Sequence, residues 1–293
     1  MTHRHAEAAV LGDALLDVSV APPAPIRSGA DVPAAVQALP GGQGANLAIR
    51  LSRRGRSVHL VCGLADDSVG RLVADALRAE TVHVAAIEVP STGTVVVLRD
   101  AFGERTMMSQ RSPFAASLGR DAVPAAPWTL VSGYLFLEPA APDLGRLIGA
   151  LDTRRVVVGC AVPPPMRPAW LDAVREARAD LLILNREEAA QLGSIDDLAT
   201  VVVTTSATEV RAAMGAASAT LALPDARPAV DTTGAGDAFA AALVDGLMDG
   251  TWPPSAEHRH SSVLEAARVA GEVALVVGAQ ARVPSERLRE AMR

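Results

Sequence analysis

The chain has 293 residues, of which 49% are hydrophobic and 20% charged, a balance that suits a packed α/β protein and excludes a disordered one. Its formal net charge is −6 and only 3% of its residues are aromatic, so we expect no nucleic-acid surface. All 27 basic residues are arginines, so the chain contains no lysine. This excludes P-loop nucleoside triphosphatases, whose motif requires a lysine, and enzymes that form a Schiff base through lysine.

The cysteines and the hydrophobic pattern bear on the cellular location. Cys62 and Cys160 lie in apolar runs without the spacing of a metal site, which predicts two buried thiols in a reducing compartment. The N-terminal residues lack the apolar segment of a signal peptide, and no uninterrupted apolar run reaches about 18 residues. We therefore expect a cytoplasmic protein without a membrane partner.

Short β-branched runs alternate with helical patterns along most of the chain. The runs that predict strands cover residues 8–12, 57–64, 129–136, 155–162, 180–185 and 200–205. Helices are predicted over residues 45–54, 69–79, 142–152, 168–178, 186–192, 235–248, 261–277 and 285–292. Because most of these strands are apolar throughout, they indicate a doubly wound parallel sheet with helices on both faces.

One region departs from this alternation. Consecutive strands without an intervening helix are predicted at 83–90, 93–100 and 105–111, with a hairpin turn at 102–104. Residues 15–40 also have strand-like and proline-rich character. We therefore expect a small antiparallel flap, formed from residues 15–40 and 83–111, within a single domain that spans residues 1–293.

The segment DTTGAGDAF, from Asp231 to Phe239, carries the strongest chemical signal and precedes a helical pattern. The small residues Gly234, Ala235 and Gly236 allow backbone N–H groups to approach an anion at a helix N-terminus. Asp237 follows in the first turn of that helix. A carboxylate beside an anion-binding turn suits a general base for an attacking hydroxyl group.

A second glycine-rich segment, PGGQGANLA at 40–48, also leads into a predicted helix. A dinucleotide-binding turn is one interpretation, although no strand is predicted before it and Asn46 replaces the third glycine of that fingerprint. The alternative is close approach of the backbone at Gly41 and Gly42 to a polyol. Asn46 would then both donate and accept hydrogen bonds.

Together these segments resemble the PfkB carbohydrate kinase family, which has the ribokinase-like fold. Other segments are similar to motifs of that family, at Gly12-Asp13 with Asp17, 66–70, 92–94, 103–105, 185–188 and 278–280. The resemblance covers nearly the whole chain. It implies a three-layer αβα sandwich with a small β-sheet lid.

The resemblance also implies a reaction, the ATP-dependent phosphorylation of a primary hydroxyl group on a small sugar-like substrate. Asp237 would accept the hydroxyl proton, and the amides of 234–236 would stabilise the transferring phosphoryl group. The residues implied to contact the substrate are Asp17, Gly41, Gly42, Asn46 and Glu138. Those implied for the nucleotide are Asn185, Thr204, Ser206 and Gly236, with Mg²⁺ held mostly through water by Asn185 and Glu188.

Many members of the family also bind K⁺, which the resemblance would place beside Asp231 and Thr233. Arg282 occupies a position where ribokinases often have serine. Its guanidinium would either reach Asp231 and replace K⁺, or point to solvent from a loop. The first alternative predicts activity that does not depend on K⁺.

Several positions depart from the ribokinase pattern and leave the substrate open. Leu15 replaces an asparagine, which disfavours ribose itself. Ser206 and Glu209 fill glycine positions of the nucleotide segment, where side chains limit backbone approach and a carboxylate repels phosphates. The alternatives to a sugar kinase are a nucleoside kinase of the same fold and a catalytically weak ligand-binding member. Because lid edges in this family often pair between protomers, we also expect a homodimer.

Overall fold

A computed structural model describes residues 5–99, 105–223 and 229–286. Within them the strands are β1 (Ala8–Leu11), β2 (Leu15–Ala21), β3 (Ala35–Gly41), β4 (Val58–Leu64), β5 (His83–Glu88), β6 (Gly93–Arg99), β7 (Arg105–Gln110), β8 (Trp128–Ser132), β9 (Arg154–Val158), β10 (Ala179–Asn185), β11 (Ala199–Thr205), β12 (Glu209–Met214) and β13 (Ala217–Ala222). The α-helices are α1 (Gln43–Arg53), α2 (Ser68–Ala79), α3 (Ala141–Gly149), α4 (Arg167–Ala177), α5 (Arg186–Leu192), α6 (Ala235–Met248) and α7 (Ala256–Val273).

The larger sheet has the strand order β13-β12-β11-β10-β9-β8-β1-β4-β5. The strands β11, β10, β9, β8, β1, β4 and β5 are parallel to one another. The hairpin of β12 and β13 extends the sheet, with β12 antiparallel to β11. Helices α1, α2, α6 and α7 bury apolar side chains on one face, and α3 and α4 do so on the other. The predicted three-layer αβα fold is therefore confirmed, and its two-sided burial explains the continuously apolar strands.

The smaller sheet has the order β3-β2-β6-β7, and residues of it line a cavity together with strand ends of the larger sheet. It contains strands from both of the segments predicted for the flap, but the prediction was wrong for residues 83–88. These form β5, which pairs in parallel with β4 at the edge of the larger sheet, from His59 opposite His83 to Leu64 opposite Glu88. Since α2 connects β4 to β5, the two strands and the helix form an ordinary parallel crossover unit.

Other elements predicted from the sequence begin or end at different residues in the structure. Helix α7 begins earlier than predicted, because the Ser255 side chain accepts a hydrogen bond from the backbone N–H of His258 and caps the helix there. The predicted turn at 102–104 and most of the helix predicted at 285–292 fall outside the described residues. Cys62 and Cys160 are buried free thiols. Among the described helices, none combines the length and the apolar content needed to cross a bilayer.

Two arginines just after α1 fix the end of this helix against α6. The Nε of Arg54 donates to one oxygen of Asp245 and the Nε of Arg56 donates to the other, each at 2.7 Å. Asp245 lies within α6 and is 3% exposed. Arg54 also lies 3.5 Å from Glu265, and Arg56 also pairs with Glu7 and Asp249, but these three acids are more exposed than Asp245. Removing the charge of Asp245 therefore takes the buried counter-charge from two guanidinium groups at once.

We expect Asp245→Asn to destabilise the fold by about 3–5 kcal/mol, the cost of breaking a buried ion pair. Denaturant-induced unfolding at neutral pH measures this change. The matched control is Asp75→Asn, which removes an exposed partner of Arg78 and should change the free energy of unfolding by about 0.5 kcal/mol or less. An equal effect of the two substitutions would contradict the structural role assigned to Asp245.

Candidate active site

A cavity of about 310 Å³ opens at the carboxyl ends of β1, β9, β10 and β11, beneath the smaller sheet. Such an edge of a parallel sheet is where α/β proteins bind ligands, most often where the strand order reverses. In this sheet the order reverses at β1, which lies between β4 and β8. The predicted site residues that line the cavity are Asp17, Gly42, Asn46, Asn185, Glu188, Thr233, Gly234, Gly236 and Asp237.

Close packing of two glycines sets the first helix against the first strand. A Cβ atom at Gly44 would lie 2.6 Å from the carbonyl carbon of Gly12, so a larger residue would push α1 away from the end of β1. Gly42 makes the turn into the helix with a φ of 99°. The residues before it form β3 of the smaller sheet, although no strand was predicted there. This strand does not belong to a βαβ unit, so the polyol interpretation is the one that fits.

Asn46 and Asp237 are in direct contact at one wall of the cavity although they are 191 residues apart in the chain. The Nδ2 of Asn46 donates to Oδ2 of Asp237 at 2.7 Å. Burial raises the pKa of Asp237 to about 7, with the charge of Asp13 adding to the rise and the Asn46 hydrogen bond opposing it. A carboxyl group that ionises near neutral pH is suited to accept a proton from a bound hydroxyl group.

The turn before α6 brings backbone donors to the same wall. Gly234 has a φ of 75°, and a Cβ atom there would lie 2.7 Å from the Cα of Ala279. Because α6 begins at Ala235, the N–H groups of Gly236 and Asp237 belong to its first turn and have no acceptor within the helix. This arrangement suits an anion placed beside the Asp237 carboxylate.

Hydrogen bonds of the Asp231 side chain stabilise the turn that precedes α6. Its Oδ1 accepts hydrogen bonds from the N–H and the hydroxyl group of Thr233, at 2.9 and 2.6 Å. Its Oδ2 accepts one from the N–H of Gly278 at 3.0 Å and lies 3.3 Å from Nη1 of Arg99, at the end of β6. Burial alone would raise the pKa of Asp231, but these hydrogen bonds and the charge of Arg99 hold it below its usual value.

Asn185 and Glu188 form a capping box at the start of α5. The Asn185 side chain accepts from the N–H of Glu188 at 2.7 Å, and Oε2 of Glu188 accepts from the N–H of Asn185 at 2.9 Å. Burial raises the pKa of Glu188, although the second of these bonds opposes the rise. Both side chains border the cavity at the end of β10.

Three further predicted substrate residues are Asp17, Gly41 and Glu138, and the structure places them differently. A Cβ atom at Gly41 would lie 2.1 Å from Oδ2 of Asp17, so this carboxylate packs directly on the glycine. Burial, aided by the charge of Asp13, raises the pKa of Asp17 to about 6. Glu138 instead borders an adjoining cavity of about 170 Å³, where it accepts hydrogen bonds from the N–H groups of Phe114 and Ala115.

The cavity residues without a role assigned from the sequence include Asp13, Gln43, Arg111 and Tyr134. Arg111 donates to the Asp13 carboxylate and its guanidinium lies 3.8 Å from the centroid of the Tyr134 ring. The amide of Gln43 joins the carbonyl oxygen of Gly159 to the Ser132 hydroxyl group. Asp13 is part of the Gly12-Asp13 motif recognised in the sequence, whereas Arg111 follows β7 with no local pattern that marks it.

Thr204 and Ser206 are not brought to the cavity that contains Asp237. They border a separate cavity of about 400 Å³ beside α5, together with Glu209. The Ser206 hydroxyl group accepts from the N–H of Glu209 at 3.2 Å and so closes the turn between β11 and β12. Arg186 donates to the Glu209 carboxylate, which partly balances the negative charge that the sequence places there.

Comparison with known proteins decides the family. Residues 5–286 match the model of the pfkB family carbohydrate kinases. The chain belongs to this family. A curated fructokinase of Klebsiella pneumoniae is 31% identical over 267 residues, which cover 81% of this chain and 83% of that protein.

Solved structures agree with the fold of this carbohydrate kinase. Ribokinase from Giardia lamblia superposes with a TM-score of 0.80 at 17% identity and covers 98% of this chain and 100% of its own. Adenosine kinase from Sinorhizobium meliloti has a TM-score of 0.77 at 20% identity and covers 99% and 100% of the two chains. The protein is thus a carbohydrate kinase of the pfkB family with the ribokinase-like fold.

The chemistry of the donors in the kinase fits a weakly ligated Mg²⁺ beside bound phosphates. Mg²⁺ keeps several waters and takes only one or two carboxylates from a protein. Glu188 would supply one carboxylate, and Asn185 lies beside it in the capping box. No group of three or more His, Cys, Asp or Glu side chains arranged for a metal occurs within residues 5–99, 105–223 and 229–286.

Asp231 does not fit K⁺, and the guanidinium beside it is not the one predicted. Nη2 of Arg282 instead lies 3.4 Å from Oε2 of Glu80, and the Arg282 side chain is exposed. Arg99 takes the place next to Asp231 instead. Two unit charges 4 Å apart repel by about 4 kcal/mol at an effective dielectric constant of about 20, so Arg99 and K⁺ exclude each other.

We expect the turnover of the unmodified kinase to stay the same when K⁺ is replaced by tetramethylammonium at constant ionic strength. Arg99→Ala should lose activity, and K⁺ should restore part of it, because Asp231 then lacks its guanidinium. Steady-state rates in the two salts measure this. Arg282→Ala is the matched control and should gain no response to K⁺. Strong K⁺ activation of the unmodified kinase would contradict the assignment.

Proposed function

We propose that the protein transfers the γ-phosphoryl group of ATP to a primary hydroxyl group of a small sugar, with Asp237 as general base. The hydroxyl proton passes to the Asp237 carboxylate while the hydroxyl oxygen bonds to the γ-phosphorus. The bond from that phosphorus to the bridging oxygen breaks, and ADP leaves with the bonding electrons. The charge on the transferring group is stabilised by the N–H groups in the first turn of α6.

The single observation that carries this proposal is the position of Asp237. Its carboxylate projects into the cavity from the first turn of a helix, beside a glycine turn that favours an anion. Its pKa of about 7 leaves a substantial fraction ionised at neutral pH. A base and an anion site on adjacent residues are what an in-line transfer from a phosphate to a hydroxyl group requires.

The polar lining favours a sugar as the acceptor. The cavity is lined by two carboxylates, those of Asp13 and Asp17, and by the hydrogen-bond donors of Arg111 and Asn46. Such a mixture of acceptors and donors suits the hydroxyl groups of a polyol. Among the described lining residues, Tyr134 is the aromatic one. The fructokinase relative supports a ketose such as D-fructose as the first compound to test. Leu15 also borders the cavity, which disfavours ribose for the reason given from the sequence.

A nucleoside is the second candidate, and one feature favours it. The adjoining cavity of about 170 Å³ is bordered by Phe114, Leu135, Leu137 and Pro139, which would suit the face of a base. The likeness to adenosine kinase concerns the fold and does not choose between the two. The third candidate is a family member that binds its ligand but catalyses weakly. The presence of Asp237, the proposed base, argues against this candidate.

Mg²⁺ would be held mostly through water by Asn185 and Glu188, and when bound it would neutralise charge on the phosphates. Thr204 and Ser206 remain predicted nucleotide-binding residues. Thr205, which lies between them at the end of β11, borders the cavity that contains Asp237.

We also propose a cytoplasmic location. It suits the ATP supply and the two unpaired cysteines.

We propose a single kinase domain in which the smaller sheet acts as the lid. Strands β2, β3, β6 and β7 supply this lid, and β5 does not. Its outer strands expose Val36, Leu39, Met107 and Met108, so the predicted homodimer through the lid would bury apolar surface. Sedimentation of the purified protein tests the dimer, and a monomer at all concentrations would contradict it.

The proposed function is tested by measuring ADP formation with Mg²⁺ and ATP over a panel of acceptors. The panel contains D-fructose, other ketoses and aldoses, D-ribose, adenosine and other nucleosides, with ³¹P NMR to identify the phosphorylated product. We expect a hexose to give the highest kcat/KM and ribose a much lower one. Phosphorylation of nucleosides alone would select the second candidate. No acceptor-dependent ADP formation would contradict a kinase.

We expect Asp237→Asn to lower kcat by about 10²- to 10⁴-fold, because the amide cannot accept the hydroxyl proton. Asp172→Asn on the exposed face of α4 is the control and should retain activity. In the unmodified protein, kcat/KM should fall as the pH drops below about 7, where Asp237 becomes protonated. Turnover of Asp237→Asn within a few-fold of the unmodified protein would rule out Asp237 as the base.

A further inference from the structure

The Asn46 side chain lies between two other side chains and bonds to both. Its Nδ2 donates to Asp237 at 2.7 Å, and its Oδ1 accepts from Nε2 of Gln280 at 3.2 Å. Asn46 is 5% exposed, so water has little access to its amide. The three side chains come from α1, from α6 and from residues 278–280, which follow α7 and are called the closing loop below.

The orientation of an asparagine amide depends on its partners, since the two ends have nearly the same shape. In the observed orientation an N–H group faces the Asp237 carboxylate. In the reversed orientation a carbonyl oxygen would face the carboxylate oxygen, and two acceptors at this distance repel. Gln280 presents a donor to Asn46, and this favours the observed orientation over the reversed one.

Gln280 is itself held in place by the backbone of its loop. The N–H of Gly278 donates to Asp231 at 3.0 Å, and Nη2 of Arg50 donates to the carbonyl oxygen of Ala279 at 2.6 Å. Nη1 of Arg53 donates to the carbonyl oxygen of Gln280 at 2.8 Å. Because the loop is fixed at each of its three residues, the direction of the Gln280 side chain is constrained as well.

We propose that Gln280 is a positioning residue, which orients the Asn46 amide so that it donates to Asp237 and keeps this carboxylate able to accept the substrate proton. The inference rests on the proposed role of Asp237 as the base. Gln280 acts through Asn46 and has no described contact with the reacting atoms. The closing loop thereby sets the protonation of the base as well as the shape of the anion turn.

Other groups around Asp237 also affect its ionisation and are unchanged by this mechanism. Asp13, in the loop after β1, disfavours the charged carboxylate, and Arg50 in α1 favours it. The Gln43 side chain, at the start of α1, favours the charged form as a hydrogen-bond donor. Since these groups stay in place when Gln280 is substituted, a change in the pH dependence reports on the Asn46 orientation.

The test is the pH profile of kcat/KM for Gln280→Met, measured with ATP, Mg²⁺ and the best acceptor from the panel. Methionine has a similar length and no donor, so Asn46 can reverse. We expect the acidic limb to move up by about one pH unit, the equivalent of a weakened hydrogen bond to a charged group. Activity should fall about tenfold at pH 6 and approach the unmodified protein at pH 9.

Two further variants separate orientation from a general disturbance of the loop. Gln280→Glu keeps the shape but presents an acceptor, so it should move the acidic limb at least as far as methionine does. Gln191→Met on the exposed surface of α5 is the matched control and should leave the profile unchanged. An unchanged limb in both Gln280 variants, or an equal loss at every pH, would overturn the proposal.

Infrared titration makes the result independent of turnover. The protonated carboxyl band that disappears in Asp237→Asn reports the ionisation of Asp237 directly, and its midpoint should rise in Gln280→Met. If Asp237→Asn keeps its turnover, the proposed function fails whatever Gln280 does. If Asp237→Asn is inactive while the Asp237 midpoint is the same with and without Gln280, only the role of Gln280 fails.

Discussion

The hydrogen bond between Asn46 and Asp237 is the constraint on which the site depends. It joins the first turn of α1 to the first turn of α6, and it requires both helices to begin at the same wall of the cavity. A partly buried carboxylate with a pKa near 7 is costly to keep ionised, and a directed N–H donor offsets part of that cost. The glycine contacts that let α1 approach β1 serve this same requirement.

The arginines within α1 and just after it link this local contact to the packing of the whole fold. Arg54 and Arg56 hold α1 to Asp245 of α6, and Arg50 and Arg53 hold it to the loop that carries Gln280. Since buried ion pairs depend strongly on geometry, they fix the relative position of the two helices more than they add stability. The pairing of Asn46 with Asp237 is therefore set by contacts well away from the substrate.

The sequence was informative where the chemistry or the packing is local. Apolar strands, the helix starts at Arg186 and Ala235, and the residues Asn46 and Asp237 follow from periodicity, glycine turns and family motifs. The sheet to which β5 belongs could not be predicted, because an apolar run does not show which strand it will pair with. Arg99 and Arg111 were missed as site residues for a similar reason. Their partners, Asp231 and Asp13, are distant in the chain, and no local pattern links the members of each pair.

The central claim is that one wall of the cavity holds both the base and the phosphoryl anion. The most direct measurement is a crystal structure with D-fructose, or the best acceptor identified, and a non-hydrolysable ATP analogue. The account predicts the acceptor hydroxyl within hydrogen-bond distance of the Asp237 carboxylate, in line with a γ-phosphate on the N–H groups of Gly236 and Asp237. An acceptor hydroxyl beyond reach of Asp237, or a γ-phosphate bound away from the start of α6, would contradict it.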